Sequence, residues 1–140
     1  MVLAVSDIRP GAIAWFDAAQ LNRNVAVDET GSSVEPKSHL RPFVCYWASE
    51  AESSWAPLTS VYKDERLPID TAWLQNAFGK LRNVDQYLQD GRNTYTGPHD
   101  AFVDAAATEN VISAPRPCIS EEGVAKILDE VRYRGGEYRD

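Results

Sequence analysis

The sequence predicts a mainly β domain with helical additions, arranged as a small open barrel or a strongly bent antiparallel sheet. Residues 12–17, 43–47 and 55–62 are short runs rich in aromatic and β-branched side chains, each of strand length and separated by Gly, Pro, Ser and Asp. Two later stretches repeat apolar residues at intervals of three and four, the spacing of one helical face. With 140 residues, 44% of them apolar and 25% charged, the chain suits a single hydrophobic core, so residues 1–140 are read as one domain.

Arg9-Pro10-Gly11 is a turn signal, and the run that follows it to Asp17 has the length and aromatic content of a buried strand. Residues 18–38 carry Asn, Asp, Gly, Ser and Pro without sustained periodicity and read as a long exposed loop, in which Asn24-Val25-Ala26-Val27 pairs briefly. Phe43-Val44-Cys45-Tyr46-Trp47 is expected to be a central strand buried on both faces. A turn over 49–54 leads to a second strand at 55–62, whose Pro57 pushes its first half toward an edge or a bulge, so the two strands form a hairpin.

From Asp70 the pattern changes. Trp73, Leu74, Ala77, Phe78, Leu81, Val84 and Leu88 share one helical face, which predicts a helix over about 70–89. Asp90-Gly91 ends it and Gly97-Pro98 makes a turn, with His99 read as a turn residue; residues 101–105 and 110–113 then suggest short strands. Ser120 caps a final helix at about 121–133, with Glu121 and Glu122 at its positive end and Val124, Ile127, Leu128 and Val131 as its apolar stripe. The tail is expected to fray, and no internal repeat is present.

A net charge of −7 and a pI near 4.8 disfavour adhesion to nucleic acid or anionic membrane through overall charge, so a nucleic-acid site has to be a local basic patch. The first residues have no cationic stretch followed by an apolar run, and no later run approaches membrane-spanning length; the expectation is a cytoplasmic protein without a membrane partner. Cys45 and Cys118 are expected to be reduced, and two His with two Cys at no close spacing lead us to expect neither a metal nor another cofactor.

Four short motifs then occur in a telling order. Arg9-Pro10-Gly11-Ala12-Ile13-Ala14-Trp15-Phe16-Asp17, His39-Leu40-Arg41-Pro42-Phe43-Val44, Ala56-Pro57-Leu58-Thr59-Ser60 and Ile119-Ser120-Glu121-Glu122 resemble, in sequence, the opening strand, the second strand, the third strand and the final helix of the MazF/PemK/Kid toxins. The likeness covers about two-thirds of the chain. It departs in the longer loop before Arg41 and in residues 64–96, where the family has a β-hairpin region.

The resemblance implies an SH3-like barrel closed by a C-terminal helix. It also implies the toxin of a type II toxin–antitoxin pair, a metal-independent, sequence-specific endoribonuclease. In that chemistry the ribose 2′-OH attacks the adjacent phosphate, leaving a 2′,3′-cyclic phosphate and a 5′-OH. The reaction needs a proton acceptor, a cation for the charged transition state and a proton for the leaving oxygen. By resemblance Arg41 is the cation, Thr59 supplies a hydroxyl at the phosphate, with Ser60 in its place if the register slips by one, and His39 is a candidate base.

Trp55 and Tyr62 are candidates for stacking on RNA bases and Lys63 for phosphate contact, with Arg66, Lys80, Arg82 and Arg92 as further basic residues. Each has a bland alternative: an ion pair for Arg41, an ordinary strand residue for Thr59, a loop residue for His39, core packing for the aromatics and a solvated face for the charges. The implied partners are single-stranded RNA, a cognate antitoxin and a second copy of the chain. Two other functions stay open on the same fold, a gyrase-binding toxin like CcdB and a catalytically silent regulatory domain.

Overall fold

The computed structural model describes residues 2–31, 40–112 and 115–137. Its strands are β1 (Ile13–Asp17), β2 (Asp28–Thr30), β3 (Leu40–Ala48), β4 (Glu52–Thr59), β5 (Leu74–Gln75), β6 (Tyr87–Leu88), β7 (Thr94–Pro98) and β8 (Cys118–Ile119). Its α-helices are α1 (Ala18–Arg23), α2 (Lys80–Asn83), α3 (His99–Ala105) and α4 (Glu121–Arg134).

The main sheet is antiparallel in the order β1-β3-β4-β7-β2, with β6 paired to the C-terminal end of β4, while β5 and β8 form a separate two-stranded sheet. Closure of this sheet into a barrel is not seen among the described residues. The β3–β4 hairpin is the spine. Its register runs Phe43↔Pro57, Val44↔Ala56, Cys45↔Trp55 and then shifts to Trp47↔Ser54, so Tyr46 is an extra residue that bulges the strand and increases its twist.

Pro57 lies in a strand paired on both sides, not at an edge. β7 pairs with β4 only as far as Trp55, and β6 takes over at Leu58. The missing N–H of Pro57 therefore falls in the gap between the two neighbours, and its carbonyl accepts from the Gln89 N–H at 3.0 Å.

Side chains alternate between two cores, one on each face of the sheet. Phe16, Phe43, Cys45, Trp55 and Tyr95 face one way and pack with Leu21 of α1 and Phe102 of α3. Ile13, Val44, Tyr46, Ala56 and Leu58 face the other way and pack with Trp73, Leu81 and, from α4, Ile127 and Val131. β3 is thus buried on both faces, as its uninterrupted apolar run predicts.

α4 closely matches the expected 121–133. Ser120 Oγ accepts from the Gly123 N–H at 3.3 Å, Glu121 and Glu122 sit in the first turn, Arg132 and Arg134 in the last, and Gly135 ends the helix in the left-handed conformation.

Several expectations are corrected. The helix predicted over 70–89 is replaced by a 3-10 turn at Thr71–Trp73, β5, the four-residue α2 and β6. Asn76 and Gly79 take φ of 57° and 56°, which stops helical propagation, and Phe78 and Val84 of the supposed apolar stripe are exposed. The supposed loop after β1 opens with α1, because Asp17 Oδ1 accepts from the N–H groups of Ala19 (2.9 Å) and Gln20 (3.2 Å), and the buried Leu21 secures it; β2 also falls within the supposed loop, at Asp28–Thr30.

The strand expected at 101–105 is helix α3, which buries Ala101, Phe102 and Ala105; a short apolar run suits either state. Asn110 belongs to a 3-10 turn, Val111 and Ile112 to no regular element, and Ser113 lies outside the described residues. Gly97-Pro98, read as a turn, instead ends β7. No helix among the described residues is long and apolar enough to cross a membrane.

Candidate functional site

At the end of the sheet where β3 begins and β4 finishes, a cleft of about 640 Å³ opens between the strands and residues 76–86. Arg41, Thr59 and Ser60 line it, together with Trp15, Phe78 and Lys80. Continuing the β3–β4 register two residues beyond Phe43↔Pro57 sets Arg41 opposite Thr59. The two share one face of the sheet, since Arg41 alternates with Phe43 and Cys45 while Thr59 lies four residues beyond Trp55. Arg41 also pairs with Phe16 of β1.

Thr59 Oγ1 accepts from the Val61 N–H at 3.2 Å, which turns the chain at the end of β4 and leaves the hydroxyl proton to donate outward. Ser60 follows the strand end and is exposed. Arg41 and Tyr95 lie on one side of the sheet, whereas Trp15, Leu58 and Leu81 of the cleft belong to the other. Burial, reinforced by the Glu29 carboxylate, pushes the Tyr95 phenol well above its ordinary value, and Arg41 offsets part of that rise. Tyr95 Oη donates to the half-buried Glu29 Oε2 at 3.0 Å.

The remaining predicted residues do not join this cleft. Trp55 is 0% exposed, held by Phe16 and Phe102, and its indole N–H donates to Ser53 Oγ at 2.8 Å, so it is core and out of reach of a base. Tyr62 is 64% exposed, donates to Asp64 Oδ1 at 2.8 Å and rests edge-on against Tyr87. Lys63 lines a second groove of about 270 Å³ with Arg66 and Arg92. There Arg66 donates to the carbonyls of Val61 and Gln89, and Arg92 pairs with Asp90 at 3.1 Å, so the proposed basic patch is divided and partly engaged. His39 lies outside the described residues.

Three cleft residues escaped the sequence reading. Gln86 is 5% exposed and donates through Nε2 to the carbonyls of Lys80 (3.1 Å) and Val84 (3.2 Å). Phe78 meets the Trp15 ring at a centroid distance of 5.8 Å. Glu109 contributes a carboxylate to the rim, where its Oε1 accepts from the Thr108 hydroxyl at 3.1 Å. None has a local motif. His99 was missed differently: far from a turn residue, it opens α3, is buried, and engages Ser49 O through Nε2 at 2.9 Å.

The cleft thus brings an arginine, a hydroxyl, a lysine, an aromatic ring and a carboxylate around one opening. Comparison of the chain with protein-family models, with curated proteins and with solved structures finds no match.

Proposed function

We propose that the protein is the toxin of a type II toxin–antitoxin pair and cleaves single-stranded RNA without a metal. The observation that carries this reading is the single cleft into which β3 and β4 deliver Arg41 and Thr59, two residues the sequence resemblance names from separate motifs. In this reading the bent sheet is an open variant of the SH3-like barrel, with α4 as its closing helix.

Arg41 stabilises the charge that builds on the non-bridging oxygens as the 2′-oxygen forms its bond to phosphorus and the bond to the 5′-oxygen breaks. Thr59 donates its remaining proton to the same phosphate. Glu109 is the carboxylate placed to accept the 2′-OH proton, and the leaving 5′-oxygen takes a proton from Arg41 or water. A second copy of the chain and an acidic antitoxin segment, attracted by Arg41 and Lys80, complete the reading.

The test is incubation of purified protein with mixed-sequence single-stranded RNA in EDTA, with mapping of the product ends. Discrete cuts ending in 2′,3′-cyclic phosphate, lost in Arg41→Ala, are expected. Intact RNA with the wild-type protein overturns the reading, and capture of a topoisomerase subunit by that inactive protein would favour the gyrase-binding alternative.

A further inference from the structure

We infer that residues 76–86 form a nucleobase subsite, in which one unpaired base stacks on the Phe78 ring and meets Gln86 at its edge, beside the phosphate position at Arg41 and Thr59. The inference rests on the RNA reading above and deepens it by assigning where a base is held.

Phe78 is the first observation. It is 44% exposed, an uncommon state for a phenylalanine, yet its ring is steadied from one side by Trp15 in a tilted contact of 39°. Asn76 and Gly79 both stand at positive φ, on either side of Phe78, and shape the turn that presents it. A ring held out into a cleft offers a π surface to a flat ligand.

Gln86 is the second. Both hydrogens of its Nε2 are committed to the carbonyls of Lys80 and Val84, which fixes the amide orientation and makes Oε1 its remaining acceptor. The hydrogen-bonding edge of every nucleobase carries an N–H donor that such an oxygen can accept. The third observation is charge and size. In a chain of net charge −7, this cleft gathers Arg41 and Lys80 against Glu109, and its volume of about 640 Å³ accommodates a nucleotide. A flat ring, a fixed acceptor and cations beyond them match a base with its phosphate better than an aliphatic or purely anionic ligand.

Binding is read by fluorescence anisotropy with labelled 2′-O-methyl oligo(A), oligo(C) and oligo(U), which lack the attacking hydroxyl, and with an abasic oligomer of equal length. Phe78→Ala is expected to weaken binding of the base-bearing oligomers on the order of tenfold while leaving the abasic oligomer unchanged, and Phe78→Tyr to restore it. Gln86→Met, verified as folded by circular dichroism, is expected to change the ranking of the three bases; an unchanged ranking removes Gln86 from the subsite.

Equal affinity of wild type and Phe78→Ala overturns the stacking site, as does an equal loss for the abasic oligomer. The two readings separate cleanly. A wild-type protein that cleaves RNA with no role for Phe78 refutes the subsite alone, whereas Phe78-dependent binding without any cleavage refutes the nuclease and keeps the subsite.

Discussion

The two walls of the cleft are made by different means. Arg41 and Thr59 stand on β3 and β4, strands of nine and eight residues locked between two cores, whereas Phe78, Lys80 and Gln86 belong to a segment whose only α-helix, α2, has four residues. Strand residues hold their positions through hydrogen-bonded neighbours, which makes the wall they form the more rigid of the two. The facing wall depends on a few carbonyl contacts and on backbone at positive φ. Leu81 ties that wall into the core.

The largest contrast is expected in catalysis. Removing the guanidinium in Arg41→Ala should lower the cleavage rate by about 10²-fold or more in a protein that circular dichroism shows to be folded. A protein equally active without Arg41 would place the chemistry elsewhere.

Stability should divide along the same line. Leu58 is buried near the end of β4 in the core that α4 also enters, and Leu58→Ala is expected to destabilise by about 2–5 kcal/mol in urea unfolding. Gly79→Ala on the opposite wall adds a Cβ at φ 56° with nothing near it to clash, so its cost is backbone strain alone, about 1–2 kcal/mol. A reversed order would mean that residues 76–86, and not the hairpin, carry the fold.

Alkaline pH probes the hairpin from within. Burial pushes the Cys45 thiol from 9.0 to about 12 and the Tyr46 phenol from 10.0 to about 12, so the folded state favours the neutral forms of both. Each contribution is fully present below the ordinary value and is lost as pH rises past it toward 12. The urea midpoint should therefore hold from neutrality to about pH 9.0 and fall above it, and Cys45→Ala should flatten the first part of that fall. The smallest effect concerns exchange: backbone amides of 43–47 should be protected far longer than those of 76–86, and similar protection would contradict the difference between the walls.

What was legible in the sequence follows the strength of local signals. α4 has a cap, a dipole-matched first turn and a complete apolar stripe, so it could be read to within a residue. β3 was legible because a strand buried on both faces is apolar at successive positions. Residues 70–89 deceived the same reasoning. Trp73, Leu81 and Leu88 do enter one core, but from a 3-10 turn, a single helical turn and a strand, so helical spacing arose without a helix. For α1 and α3, of six and seven residues, a periodicity test had too little chain to act on; the Asp17 cap was the usable clue for the first.

By itself, then, the sequence determined the antiparallel hairpin, the final helix and two polar residues, Arg41 and Thr59, drawn from separate motifs. Only the tertiary structure decided that these two share a sheet face and a cleft, because register is set by the Tyr46 bulge and by pairing on both sides of β3. It also decided that Trp55 is core while Phe78 is surface. Both are aromatic residues flanked by small ones, and only the packing of two layers onto a sheet distinguishes a ring at its centre from one on a loop at its rim.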